Sequence, residues 1–261
     1  MPRAGIRARL AGLNWVLSTQ LGLDLRRLGR SVRGVFPYLL GAQHFRRHYR
    51  GAWQWQPCLQ DWGEEGGSVN NEYFWQDLLV AQSIHRAQPR HHVDVGSRLD
   101  GFVAHVASFR SLEVFDVRPL QRVIPGVQFT QRDVMQEVPE AYCDSLSCLH
   151  ALEHFGLGRY GDPIDPHGDD KGIANLARLL QPGGTLYLST PVGRERVVFN
   201  ANRVFDVRGL LERLRSHNLQ LHSLSLISSR GEVTAVDDPA SLLDQIAKDR
   251  DWLGLFVMHK Q

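Results

Sequence analysis

The chain has 261 residues, of which 43% are hydrophobic and 22% charged, ordinary globular proportions that exclude collagen-like and wholly disordered chains. No apolar run approaches the roughly 20 residues that span a bilayer, and the three cysteines Cys58, Cys143 and Cys148 form no CxxC pair, which points away from a disulfide scaffold and toward a reducing compartment, the cytoplasm. The net charge of +2 is too near neutral to predict a nucleic-acid partner.

That charge is unevenly spread. Residues 1–50 hold ten arginines and one acid, Asp24, a net +9, so the remaining residues carry −7. From Ile6 to Leu40 the arginines alternate with Leu10, Leu13, Trp15, Val16, Leu21, Leu23, Leu25 and Leu28, predicting one or two basic amphipathic helices. Such helices either pack as a lid on their own domain or face an anionic membrane or a partner, here at the inner face of the membrane. No uninterrupted apolar segment follows the charges as a signal peptide requires. Residues 51–70 contain Trp53, Trp55 and Trp62 and read as an ordered, irregular connector, so residues 1–70 are expected to form a helical extension and residues 71–261 the main domain.

The pattern turns helical at Asn71, where Asn70 or Asn71 can cap, and Pro89 ends it. Strand and helix signals then alternate. Strands are predicted at His92–Val95, Leu112–Val117, Val127–Thr130, Tyr142–Leu149, Thr185–Ser189, Leu219–Ile227 and Leu255–His259. Helices are predicted at Phe102–Phe109, Gly172–Leu180 and Val207–Ser216, with a turn at Pro182-Gly183-Gly184. This alternation predicts an α/β fold, a doubly wound, mostly parallel sheet with helices on both faces.

In such a sheet ligands sit beyond the carboxyl ends of the strands. The first strand ends in Asp94-Val95-Gly96-Ser97, where Gly96 permits a close backbone turn. Asp116 ends the second strand, placed to bind a ribose diol, and Asp133 follows the third, within reach of an adenine amino group. The first loop lacks the full G-x-G-x-x-G and any Lys-Ser/Thr, so no pyrophosphate cradle is expected. Each aspartate alone could equally be a turn or cap residue.

Residues 150–170 follow the fourth strand. His154 and Glu153 are candidate general bases, and Asp162 and Arg159 could orient a polar acceptor, although each could instead cap or pair. His150-Ala-Leu-Glu153-His154 also spells H-x-x-E-H, the pattern of a zinc hydrolase if a helix carries it and a third ligand exists; without that context no metal is expected. Arg194, Asn200 and Arg203, after the fifth strand, are candidate acceptor-binding residues.

The pieces HVDVGSRLDGF, LEVFDVRP, VQFTQRDV, DSLSCLHALEHFG and LARLLQPGGTLYLSTP, in this order, resemble the class I S-adenosylmethionine-dependent methyltransferases. HVDVGSRLDGFVAH, LHALEHFGLGRYGDPIDP and VVFNANRVF more narrowly resemble an uncharacterised methyltransferase-like family often found among surface-polysaccharide genes. The resemblance implies a Rossmann-like, seven-stranded sheet with a reversed last strand. It implies an S-adenosyl-L-methionine site at Asp94, Gly96, Ser97, Asp116, Val117, Asp133 and His150, and O-methylation of a small-molecule or glycan acceptor, a sugar hydroxyl. Where related enzymes carry further glycines, this chain has Ser97-Arg98-Leu99, so a non-catalytic scaffold in a glycan-assembly complex is the alternative to an enzyme.

Overall fold

A computed structural model describes residues 14, 17–18, 21–61, 69–236 and 252–261. Arg3, Arg7, Arg9, Leu10, Leu13, Trp15, Val16 and Trp62 lie outside the described residues. The chain divides into two compact units, Met1–Ser68 and Val69–Gln261. In the first, helix α1 (Leu25–His48) contains six arginines and no acid. One side of it packs on the connector: Tyr38 meets Trp55 with ring centroids 5.9 Å apart, and Phe45 meets Trp53 at 5.5 Å. Gly34 lies against the Leu59 carbonyl, where a Cβ would collide with backbone.

The second unit opens with α2 (Glu72–Ala87), started by the Asn71 side chain, which accepts from the Phe74 N–H at 2.9 Å. It stops at Gln88 in a left-handed conformation, ahead of Pro89. Then follow β1 (His92–Val95), a π-helical turn (Leu99–Val103) running into the short α3 (Ala104–Ala107), β2 (Leu112–Asp116), β3 (Val127–Gln131) and β4 (Cys143–Leu149). After β4 come a single 3-10 turn (Leu152–His154), α4 (Gly168–Leu179) and β5 (Leu180–Val192). The chain continues through a ribbon of β6 (Arg196–Val198) and β7 (Asn202–Val204), α5 (Val207–Ser216), β8 (Leu219–Ile227), β9 (Val233–Ala235) and β10 (Trp252–Lys260).

The main sheet has the order β3-β2-β1-β4-β5-β10-β8-β9. Strands β1 to β5 are mutually parallel, and β10 lies antiparallel between β5 and β8. This is the doubly wound sheet the alternation predicts, with the reversed last strand the resemblance implies. The sheet has eight strands rather than seven, because β9 adds an antiparallel edge to β8. All three β9 residues are exposed, so no apolar alternation marks them in the sequence. The expected turn at Pro182-Gly183-Gly184 is instead a bulge within β5: Cys143 pairs with Leu180 but Ser145 with Thr185.

Alternate residues face two cores. On one side Val93, Val95, Phe115 and Phe256 pack under α4 and α5 through Ile173, Leu176, Leu210 and Leu214. On the other, Val114, Leu149 and Leu255 meet Val80 and Ile84 of α2 and Phe102 and Val106. The strand order reverses between β1 and β4, which opens a crevice at their carboxyl ends.

Candidate active site

At that crevice lies a solvent-open cleft with an empty volume of about 530 Å³. Gly96, Asp116, Val117, Asp133, Val134, His150, His154, Tyr160 and Asp162 are in its wall. Gly96 makes the tight turn after β1 at φ 71°, where a Cβ would press on the Ala151 methyl at 3.0 Å, so the backbone can approach a ligand there. Asp116 ends β2 with both carboxylate oxygens facing Arg118, which donates from its backbone N–H (2.8 Å), Nε (2.9 Å) and Nη2 (2.5 Å). The Arg118 guanidinium lies 4.6 Å from the Tyr160 ring centre. Asp133 accepts from the Met135 N–H at 2.9 Å and remains half-buried at the cleft.

Asp94 and Ser97 do not line this cleft. Both are buried, and the Asp94 carboxylate accepts from Ser97 Oγ (2.6 Å), the Ser97 N–H (3.1 Å) and Ser147 Oγ (2.5 Å). Burial pushes the Asp94 pKa up to about 6 despite these donors. The pair holds the turn that Gly96 occupies, so its part in any cofactor site is to shape that turn. His92 beneath it bridges Ser145 and Ser147 at 2.8 and 3.1 Å, and burial lowers its pKa to about 3.

His150 follows β4 in a left-handed conformation, φ 50°, and stacks on the Tyr73 ring at 4.4 Å. Its Nδ1 lies 2.8 Å from Glu153 Oε1, while its Nε2 is buried and has no hydrogen-bond partner. Glu153 is 1% exposed and is not in the wall of this cleft. Burial pushes its carboxyl upward, but the hydrogen bond and charge of His150, the charge of His154 and a backbone hydrogen bond together hold it below its ordinary value. Glu153 is therefore sealed away from any acceptor, and it orients His150. His154 keeps a place in the cleft wall, with Nδ1 donating to the Ala201 carbonyl at 2.7 Å; burial lowers its pKa below the ordinary histidine value.

Of the other expected acceptor residues, Asp162, Arg159 and Arg203 make contacts within the protein itself. Asp162 accepts from the Gly156, Gly158 and Tyr160 N–H groups (3.0, 3.2 and 3.1 Å), closing its own loop. Arg159 is exposed and donates to the Ala201 carbonyl at 2.8 Å, tying that loop to the β6–β7 ribbon. Arg203 is 6% exposed: it donates to the Phe155 and Pro166 carbonyls and pairs with Asp169 at 3.3 Å, which leaves no donor arm for a substrate. Arg194 and Asn200 are exposed and line neither cleft described here.

The H-x-x-E-H residues sit on a strand end and one 3-10 turn, so the two histidines do not share an α-helical face. Among the described residues no group of three His, Cys, Asp or Glu side chains converges as a metal ion requires. A second cleft, of about 570 Å³ empty volume, meets the first at His150. Glu72, Pro191, Asn202, Ser229 and Trp252 are in its wall. Glu72, Tyr73 and Trp252 carry no motif, and Arg118 and Tyr160 lie in pieces that carry the resemblance without a role of their own in the sequence. Arg118 had one signal, its place two residues beyond a strand-end aspartate.

A family model described as "Caenorhabditis protein of unknown function, DUF268" matches residues 127–212, about a third of the chain. No curated protein matches the sequence. Among solved structures, the Burkholderia thailandensis 1,6-didemethyltoxoflavin-N1-methyltransferase, bound to 1,6-didemethyltoxoflavin and S-adenosylhomocysteine, is similar at 15% identity, with 92% of this chain and 91% of that chain covered and a TM-score of 0.52. A putative sarcosine dimethylglycine methyltransferase from Galdieria sulphuraria is similar at 10% identity, with 71% and 84% covered and a TM-score of 0.51. The likeness is one of architecture: the second unit has the Rossmann-like fold of the class I methyltransferases.

Proposed function

We propose that this chain is an S-adenosylmethionine-dependent methyltransferase that acts on the hydroxyl of a sugar. The observation that carries the reading is His150, which stands in the wall of both clefts with Nδ1 held by Glu153 and Nε2 without a partner. The first cleft suits a nucleoside without a pyrophosphate: it has a glycine turn at Gly96, carboxylates at Asp116 and Asp133, and no phosphate loop. Gly96, Asp116, Val117 and Asp133 would hold the cofactor, which when bound supplies a methyl group activated on a sulfonium.

His150 Nε2 accepts the proton of the acceptor hydroxyl as its oxygen gains the methyl group. Nδ1–H donates to Glu153, whose negative charge fixes the tautomer and favours the imidazolium that forms. Tyr73 stacks on the ring and fixes its plane. In the second cleft Trp252 offers an aromatic face beside Glu72, Asn202 and Ser229, a combination that serves the apolar CH face of a sugar and its hydroxyls together. A role in surface-polysaccharide synthesis rests on the family resemblance. Cys58, Cys143 and Cys148 are all free thiols, in keeping with action in the cytoplasm.

The test is transfer of label from S-adenosylmethionine carrying a tritiated methyl group to a panel of methyl glycosides. The reading expects label in an alkali-stable ether. An alkali-labile ester, or no transfer to any glycoside, contradicts it.

A further inference from the structure

Helix α1 carries a pattern that methyl transfer leaves unused. Leu28, Val32, Val35, Phe36, Leu39 and Leu40 are 41–69% exposed. At 3.6 residues per turn they fall within about 140° of the circumference, one stripe running about 18 Å along the axis. The opposite side is already taken, since Gly34, Tyr38 and Phe45 face Leu59, Trp55 and Trp53. Arg33 flanks the stripe, and Arg46 and Arg47 continue its side of the helix beyond Leu40, all exposed. No acid occurs within the helix, and the nearest, Asp24, approaches Arg27 at 3.9 Å.

We propose that α1 is a docking surface for an anionic lipid bilayer, with its apolar stripe in the acyl–headgroup boundary and its arginines on lipid phosphates. Charge decides the occupant. A second copy of this helix would bring two sets of arginines together without a carboxylate between them. A protein partner would need an apolar groove rimmed by acids to meet this face, which binding to soluble polyglutamate tests. A bilayer is flat, apolar within and anionic at its rim, which matches a one-sided stripe flanked by Arg33 and followed by Arg46 and Arg47. Arginine can keep its stem in the apolar layer while its guanidinium stays at the phosphates. The proposal is independent of the methyltransferase reading.

The experiment is co-sedimentation of the full chain with vesicles of phosphatidylcholine alone or with 30% phosphatidylglycerol, at 0.15 M and 1 M salt. Each arginine at an anionic surface strengthens partitioning roughly fivefold, so the anionic vesicles should bind at least tenfold more protein, and 1 M salt should remove most of that excess. The V32D/F36D variant should lower partitioning tenfold or more. R33Q/R47Q, at two exposed positions outside the stripe, should lower it about thirtyfold with circular dichroism unchanged. Equal binding to both vesicle types overturns the proposal, as does parent-like binding by either variant. A parent dimer that V32D/F36D dissociates, or tighter binding to soluble polyglutamate than to vesicles, assigns the surface to a protein partner and also overturns it.

Discussion

Asp116 and Arg118 form a closed pair in the wall of the first cleft: the arginine engages both oxygens of the carboxylate expected to meet a ribose diol. A nucleoside reaching Asp116 must displace at least one guanidinium arm. Arg118 is 47% exposed, so the pair is screened by water, and exposed pairs are worth about 0.2–1 kcal/mol. Arg118→Ala should therefore tighten S-adenosylhomocysteine by about 1.4- to 5-fold in isothermal calorimetry. Weaker binding would mean that Arg118 itself holds the ligand.

The His150–Glu153 pair predicts an unequal ranking among the three motif residues. His150→Ala should lower single-turnover methyl transfer to a methyl glycoside by about 10²–10⁴-fold, the usual worth of a general base. Glu153→Gln keeps an acceptor for Nδ1–H but removes the charge, so it should cost less than His150→Ala while still lowering the rate. His154→Ala should cost least, because its Nδ1 is committed to the Ala201 carbonyl. A larger loss at His154 than at His150 would reassign the base.

Arg203 is expected to matter for stability rather than for substrate. It and Asp169 are both buried, with Arg213 as a second partner of Asp169 at 2.6 Å. Removing one member of a buried pair costs about 3–5 kcal/mol, and the remaining Arg213 contact should hold Arg203→Ala near the lower end. Urea unfolding measures this loss, while S-adenosylhomocysteine affinity of the folded variant should match the parent.

Asp94 gives a pH signature. Its pKa is raised by burial from 3.8 to about 6, so the folded state binds its proton more tightly than the unfolded chain does. That contribution is fully present below about pH 4 and is lost as pH rises through about 6. Asp94→Asn removes the titration. The stability of the variant relative to the parent should therefore rise by about 1–3 kcal/mol between pH 4 and pH 7 in urea melts. The slope is diagnostic, because the Asn amide also changes the contact with the Ser97 N–H by a pH-independent amount. A flat difference would mean that Asp94 is ionised across this range.

Much of the fold is legible in the chain because local patterns agree with tertiary burial. The bounds of β1, α5 and β8 coincide with the apolar runs His92–Val95, Val207–Ser216 and Leu219–Ile227. Helix α4 begins at Gly168, four residues before the predicted start, with Asp169 and Asp170 in its first turn, where negative charge favours a helix. At the site, Gly96, Asp116 and Asp133 follow from the rule that ligands sit at strand ends. The charged residues of the 150–170 loop were harder to assign, since Asp162 and Arg159 spend their polar atoms on nearby backbone. Tyr73 and Trp252 join His150 only through tertiary packing, and no local spacing carries that information.

The central claim is that the cleft lined by Gly96, Asp116 and Asp133 holds the nucleoside of S-adenosylmethionine, and calorimetric titration of the parent and of Asp116→Ala with S-adenosylhomocysteine tests it most directly. The account predicts saturable one-to-one binding by the parent and a loss of about 1.5–3 kcal/mol in the variant, the usual cost of removing a hydrogen bond to a charged group. No binding by the parent, or equal affinity in a folded Asp116→Ala variant, would contradict it.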